Sequence, residues 1–329
     1  MNKFEPHLFA PTIRNLAAAE DILPSIMAWH RTGLKFAVIT LVNIVGSSPR
    51  AVGSVMAVSS DGHSAGYLSG GCLEKAVVEE ARMCIARGTN RLIRYSKDSP
   101  YFDIEIPCGS GIDVFIDQGI DIGLLTRLHM LSHQRQAVIH TTNLVTGSND
   151  VQVTEDCDER TRLDCDIFRR VVRPALRVHL VGSGPSLAAV AHLLAAIGFG
   201  TEIACPDAAT REDIHSIGLN CHALTDKAIE RLQGDRWSAA ILAFHEHDWE
   251  IPLLERLLDS DCFYIGVLGS KAVAERRVAE LSQRGIAPYQ LARLRAPVGL
   301  IKGAKSKLSF AVSVVAELVS AAKDHAIIE

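Results

Sequence analysis

No C-x-x-C pair occurs in this chain of 329 residues, whose eight cysteines stand singly at 72, 84, 108, 157, 165, 205, 221 and 262. That spacing excludes a zinc knuckle and gives no disulfide framework, so the cysteines read as thiols. No apolar run reaches the length of a membrane span, and the opening MNKFEPHLFAPTIRNLAAAED carries acids where a secretory signal would be continuously apolar. Positive charge is not in excess either. The 34 Lys and Arg face 38 Asp and Glu, a net charge of −4, which excludes the basic face that nonspecific nucleic-acid binding requires. The expectation is a cytoplasmic protein with no nucleic-acid or membrane partner and enough length for two domains.

What is present is an α/β pattern in two parts. An N-terminal mixed α/β domain is expected over 1–147. It holds helices over 22–32, 73–87 and 120–132, strands over 34–45, 91–95, 112–117 and 136–142, and a hairpin of 54–59 and 63–68 closed by a tight turn at Asp61-Gly62. Residues 148–174, rich in Asp, Glu and Arg, read as a linker of mixed strand and loop whose acid run faces water. From 175 to 329 short apolar strands alternate with helices, the mark of a Rossmann-like parallel-sheet domain. Its last helix, over 307–322, repeats apolar residues and is expected in the core or at a dimer contact.

Two cysteines lie in glycine-rich turns of the first domain. Ser69-Gly70-Gly71-Cys72-Leu73-Glu74 is expected to open a helix, where free N–H groups and the helix dipole stabilise a thiolate or an anion. Pro107-Cys108-Gly109 precedes a strand. Gly46-Ser47-Ser48-Pro49-Arg50 adds two hydroxyls and a cation whose planar fork suits a phosphate or carboxylate. Singly, Cys72 reads equally well as a buried apolar residue and Arg50 as a solvated charge. Two cysteines in such turns of one domain favour a ligand pocket.

In the second domain Gly182-Ser183-Gly184-Pro185 follows a strand and opens a helix. Gly182 suits the tight turn, and Gly184 would admit a pyrophosphate. Cys205 stands where a ribose-binding acid is expected, with Asp207 two residues on, so ordinary NAD binding is the lesser reading. His245 and His247 sit at the carboxyl edge of the sheet with no third metal ligand in view. Gly269 and Ser270 offer donors to an anion, and Arg276 and Arg277 read as solvated.

Together these motifs resemble the XdhC/CoxI family. Gly46 to Arg50, Ser69 to Glu74 and Pro107 to Gly109 are similar to its N-terminal motifs. The Gly182 turn, His245-Glu246-His247, Tyr264 to Ser270 and Ala296-Pro297-Val298-Gly299-Leu300 are similar to those of its Rossmann domain, in the same order. The resemblance implies an XdhC/CoxI-type mixed α/β domain followed by a Rossmann-like domain, a homodimer with the pocket between the domains, and no catalytic activity of its own. It implies a chaperone that binds molybdenum cofactor, as molybdopterin or molybdopterin cytosine dinucleotide, supports its sulfuration and delivers it to the large subunit of an apo molybdenum hydroxylase. Cysteine desulfurase and cofactor-biosynthesis proteins would be further partners. The implied cofactor-binding residues are Ser47, Ser48, Arg50, Gly70, Gly71, Cys72, Glu74, Cys108, Gly109, Gly182, Gly184, His245, His247, Gly269 and Ser270, with Cys72 or Cys108 touching molybdenum. The chain departs from the family pattern at Pro185 (histidine expected), Cys205 and Ile301 (acids expected) and Lys302. An NAD(P)-dependent oxidoreductase and a persulfide-carrying sulfurtransferase are the alternatives.

Overall fold

The computed structural model describes residues 21–69, 73–96, 111–156, 159–244, 249–304 and 306–328. The chain divides into two compact units, Met1–Pro174 and Ala175–Glu329. In the first, the order is α1 (Leu23–Arg31), β1 (Phe36–Val45), β2 (Val55–Ser59), β3 (Ser64–Gly66), α2 (Glu74–Arg87), β4 (Arg91–Tyr95), β5 (Gly111–Asp117), α3 (Ile122–His133), β6 (Ala137–Asn143), β7 (Asn149–Thr154), β8 (Arg162–Asp164) and β9 (Ile167–Val172). Five strands form an antiparallel sheet in the order β3-β2-β1-β5-β4. Helix α2 covers one face, burying Val77, Ala81, Cys84 and Ile85 against Ile39, Leu41 and Val114. It stops at Gly88, whose φ of +68° is the left-handed conformation that glycine adopts without strain.

The stretch 148–174 differs from the linker expected. Strands β7, β8 and β9 join β6 in a second antiparallel sheet, ordered β7-β6-β9-β8. Strand β7 buries only Val151 and exposes Asp150, Gln152 and Val153, and β9 buries only Phe168 and carries Arg169 and Arg170, so apolar alternation is too weak to reveal them. The β2–β3 connection also differs: Ser59 N–H donates to His63 O at 2.9 Å and Gly62 N–H to Ser59 O at 3.0 Å, making a longer loop than a two-residue turn.

A buried polar cluster ties the two sheets. Asn149 Nδ2 donates to Asp117 Oδ2 at 2.8 Å, and Asn149 Oδ1 lies 2.8 Å from both His140 Nε2 and the donating Thr142 hydroxyl. Burial, aided by the Arg170 charge, pulls His140 down to about 4, while burial raises Asp117. Between the ordinary histidine value and 4 the unfolded chain binds the extra proton, so stability falls as pH drops through that window. Asp117 acts in the opposite sense, since its folded form keeps a proton that the unfolded form releases. Urea unfolding is expected to show about 2 kcal/mol lost between pH 7 and pH 5 through His140. An equal slope in His140→Gln would contradict this assignment.

The second unit runs β10 (Arg177–Gly182), α4 (Gly184–Ala196), β11 (Gly200–Cys205), α5 (Ala208–Ser216), β12 (Cys221–Ala223), α6 (Asp226–Arg231), β13 (Ser238–Ala243), α7 (Glu250–Leu258), β14 (Tyr264–Val267), α8 (Lys271–Gln283), α9 (Pro288–Leu291), β15 (Leu294–Arg295) and α10 (Lys307–Asp324). Its strands are all parallel in the order β12-β11-β10-β13-β14-β15. That is the Rossmann order, with its switch point between β10 and β13. Helices α4 and α10 build one apolar layer, and α7 and α8 contribute to the other. Helix α10 serves chiefly the core through Val314, Val315 and Leu318, whereas Val312, from its expected apolar row, is exposed. Among the described residues no helix is long and apolar enough to cross a membrane.

Candidate functional site

Three motif loops leave one end of the first sheet. The loop after β1 starts at Gly46, and Val45 pairs with Gly111, the first residue of β5 and the downstream anchor of the Cys108 turn. Strand β3 ends at Gly66, paired with Met56, and leads to Tyr67 and the Ser69 turn. Arg50 joins two of these loops. Its Nη1 donates to Tyr67 Oη at 3.2 Å, and its guanidinium carbon lies 4.4 Å from the Tyr67 ring centroid. Stacking on an aromatic face fixes the plane of an arginine's guanidinium. Ser48 Oγ accepts the Arg50 N–H at 3.2 Å, which shapes the loop, and Ser47 is exposed. Tyr67 escapes sequence reading because it stands seventeen positions from its partner, with no motif linking them.

Glu74 holds the upstream side of the cysteine turn. One of its oxygens accepts Ser69 N–H at 2.8 Å and Leu68 N–H at 3.3 Å, and the other accepts the Ser69 hydroxyl at 2.8 Å. Ser69 Oγ in turn accepts Leu73 N–H at 3.4 Å. Burial pushes this carboxyl up, but the hydrogen bonds from Ser69 and Leu68 outweigh burial and hold it below the ordinary glutamate value. Its stabilisation is therefore present above that value and fades as pH falls through the lowered one. This geometry makes Glu74 a positioning residue. Glu74→Gln presents an amide N–H₂ to N–H and O–H donors. It is expected to cost about 1 kcal/mol and to speed amide hydrogen exchange at Leu68 and Ser69; unaltered exchange would refute the role. Gly70, Gly71, Cys72, Cys108, Gly109, His245 and His247 lie outside the described residues, as does the expectation that Cys72 sits in the first turn of α2.

In the second unit the glycine turn is engaged by its own chain. A Cβ on Gly182 would lie 2.3 Å from the Ala243 carbonyl oxygen, so glycine is required there by the neighbouring strand. Gly184, at φ +73°, donates its N–H to Thr210 Oγ1 at 3.0 Å. The Thr210 hydroxyl donates to Asp207, whose carboxylate also accepts Ala209 N–H at 3.3 Å and Thr210 N–H at 2.9 Å and so caps α5. Those bonds, the Thr210 hydroxyl first, hold Asp207 below the ordinary aspartate value. Cys205 is fully buried, its thiol pushed up by burial and directed at Asp207 O at 3.4 Å. The amide expected to greet a pyrophosphate is thus occupied, and the carboxylate nearest the ribose position is turned to its own helix.

At the head of α8 the expectation of solvated arginines meets a correction. Arg277 is 3 % exposed and pairs with Glu250, which is 2 % exposed, at 2.6 Å through Nη2 and 3.2 Å through Nε. Gly269 lies beside this guanidinium, and Ser270 caps the helix by accepting Val273 N–H at 3.3 Å. Further on, Gly299 N–H donates to Glu317 and Ile301 N–H to Ser313 Oγ at 2.7 Å, which fastens the Pro297 to Ile301 loop to α10. Among the described residues no three His, Cys, Asp or Glu side chains gather as a metal site. A cleft of about 660 Å³ near the far end of α7, lined by Glu230, Glu255, Arg256 and Asp259, is remote in the fold from these motifs.

Two family models match the chain. One, described as the XdhC Rossmann domain, covers residues 178–318, and one described as the XdhC and CoxI family covers residues 29–96. The chain is 30% identical over 312 residues to the molybdenum cofactor insertion chaperone PaoD of Escherichia coli K12, spanning 88% of each protein. It is 25% identical over 319 residues to a protein of Bacillus subtilis 168 described as a probable xanthine dehydrogenase subunit, spanning 88% of this chain and 94% of that one. Its fold is similar to the solved structure of a protein described as a xanthine dehydrogenase from Bacillus halodurans. That likeness has a TM-score of 0.73 and 22% identity, and covers 92% of this chain and 96% of that one.

Proposed function

The chain belongs to the XdhC and CoxI family, and from that premise we propose that it is a non-catalytic chaperone. It binds molybdenum cofactor as cargo, shelters it and inserts it into a molybdenum hydroxylase. The observation that carries this reading is the gathering of the serine loop, the Ser69–Glu74 turn and the strand leading out of the Cys108 turn at one end of one sheet. Thiolates at Cys72 or Cys108 suit a metal centre already ligated by sulfur, and Arg50 suits an anionic group. The similarity to PaoD along 88% of the chain supports the same reading.

The proposal extends to four further features. They are the cytosine dinucleotide or mononucleotide form of the cargo, support of sulfuration with a cysteine desulfurase, a cytoplasmic location and a homodimer, which light scattering tests. The oxidoreductase alternative is opposed by the Gly184 bond to Thr210, the buried Cys205 and the inward Asp207. Mass spectrometry of small molecules retained by the natively purified protein tests the cargo. A pterin phosphate, with or without cytidine, is the expected result, and a nicotinamide nucleotide in its place would overturn the proposal.

A further inference from the structure

We propose that the phosphate-holding subsite of the second unit is the Gly269–Ser270 turn at the head of α8, backed by Arg277, and not the glycine turn at the head of α4. The two helix starts face the same edge of the sheet but differ in what is open. At α4 the Gly184 N–H is taken by Thr210 and Pro185 has none to give, which leaves Ser186 as the one first-turn amide without a cap. At α8, thirteen residues long, the side chain of Ser270 takes the Val273 N–H, and the preceding first-turn amides have no intrahelical acceptor.

The second observation is the arginine. Arg277 is almost wholly withdrawn from solvent, being 3 % exposed, yet its Nη1 has no hydrogen-bond partner among the described residues. That nitrogen points toward the turn, since a Cβ built on Gly269 would lie 3.5 Å from it. Nη2 and Nε are committed to Glu250, and Nη2 also reaches Leu268 O at 3.4 Å. Burying an ion pair is costly and contributes little to stability by itself, so an arginine held there with a spare donor is suited to receive an anion. Glu250 fixes the fork, the helix start supplies N–H groups, and no side chain at 269 stands between the turn and Nη1. The ligand class is a phosphate group, whether free or esterified on a nucleotide. That the group is the phosphate of the cargo rests on the chaperone reading; the subsite does not.

The test uses the full-length protein with two probes, inorganic phosphate and cytidine monophosphate, followed by ³¹P line broadening and calorimetric titration. Wild type is expected to bind. Gly269→Ala places a methyl in ordinary contact with Nη1 and with Val273, so the fold tolerates it, and affinity should fall about ten-fold or more, the worth of one charge-assisted bond. The double variant Glu250→Gln, Arg277→Gln removes the pair together and should show the same loss. Thr210→Val, acting on the α4 turn, should change nothing. Tighter binding of the nucleotide identifies an esterified phosphate as the ligand, and equal binding a free one; both uphold the subsite. No binding by wild type, or full affinity in Gly269→Ala with a loss in Thr210→Val, overturns it. Pterin retained by a wild type that binds neither probe would sink this subsite and leave the chaperone reading standing.

Discussion

Cys72→Ala is expected to lower retained pterin about ten-fold or more while the thermal midpoint barely moves. A first contact to a metal or its sulfur should matter at least as much as the supporting contacts whose loss typically costs about 10–100-fold in metal affinity. The fold should survive because the flanks of this turn are anchored without the sulfur. Ser69 is tied by three bonds to Glu74 and Leu73, and Leu73 is 2 % exposed. Pterin fluorescence and differential scanning calorimetry on the same preparations separate the outcomes. Full pterin content with a midpoint lowered by several degrees would mean that Cys72 is a packing residue.

Gly182→Ala is expected to destabilise the second unit severely. The added Cβ would meet three backbone atoms of Ala243, at 2.3 Å, 2.6 Å and 3.0 Å, and no side-chain rotation relieves a backbone clash. Gly182 pairs with Ala243 in the sheet, and Ser183 N–H donates to Ala243 O at 3.0 Å, so β10 and β13 would have to part at the switch point. Overpacking of this kind costs about 3 kcal/mol or more, which for a unit of this size is roughly 6–12 °C in thermal midpoint. Calorimetry that finds the midpoint unchanged would show that the strands can yield. In this chain the glycine answers first to strand packing.

Elements with strong patterns are legible in the sequence. The strand expected over 91–95 is β4, and the parallel sheet follows from apolar runs such as Ser238–Ala243, buried on both faces. The second sheet is not legible, because β7 and β9 each bury one side chain, Val151 and Phe168, and an apolar residue of β7, Val153, faces outward. Helix α5 escapes for a related reason, since Thr210-Arg211-Glu212-Asp213 gives no apolar period. In the site, residue types and turns are legible but their partners are not. Arg50 finds Tyr67 across a strand, and Gly184 finds Thr210 twenty-six positions away. Arg277 reads as a surface charge because Glu250, twenty-seven positions earlier, is brought to it only by the packing of α7 on α8. Glu74 is expected to face a ligand, yet its short-range bonds to Leu68 and Ser69 turn it back on its own loop.

Cofactor transfer in vitro is the decisive assay of the chaperone role. Protein purified from cells that make molybdenum cofactor, and from cells that cannot, is mixed with an inactive apo molybdenum hydroxylase, and the recovered activity is measured. Activation by the first preparation alone, in proportion to its pterin content, is the expected result. Negligible pterin in both preparations and no activation by either would contradict it.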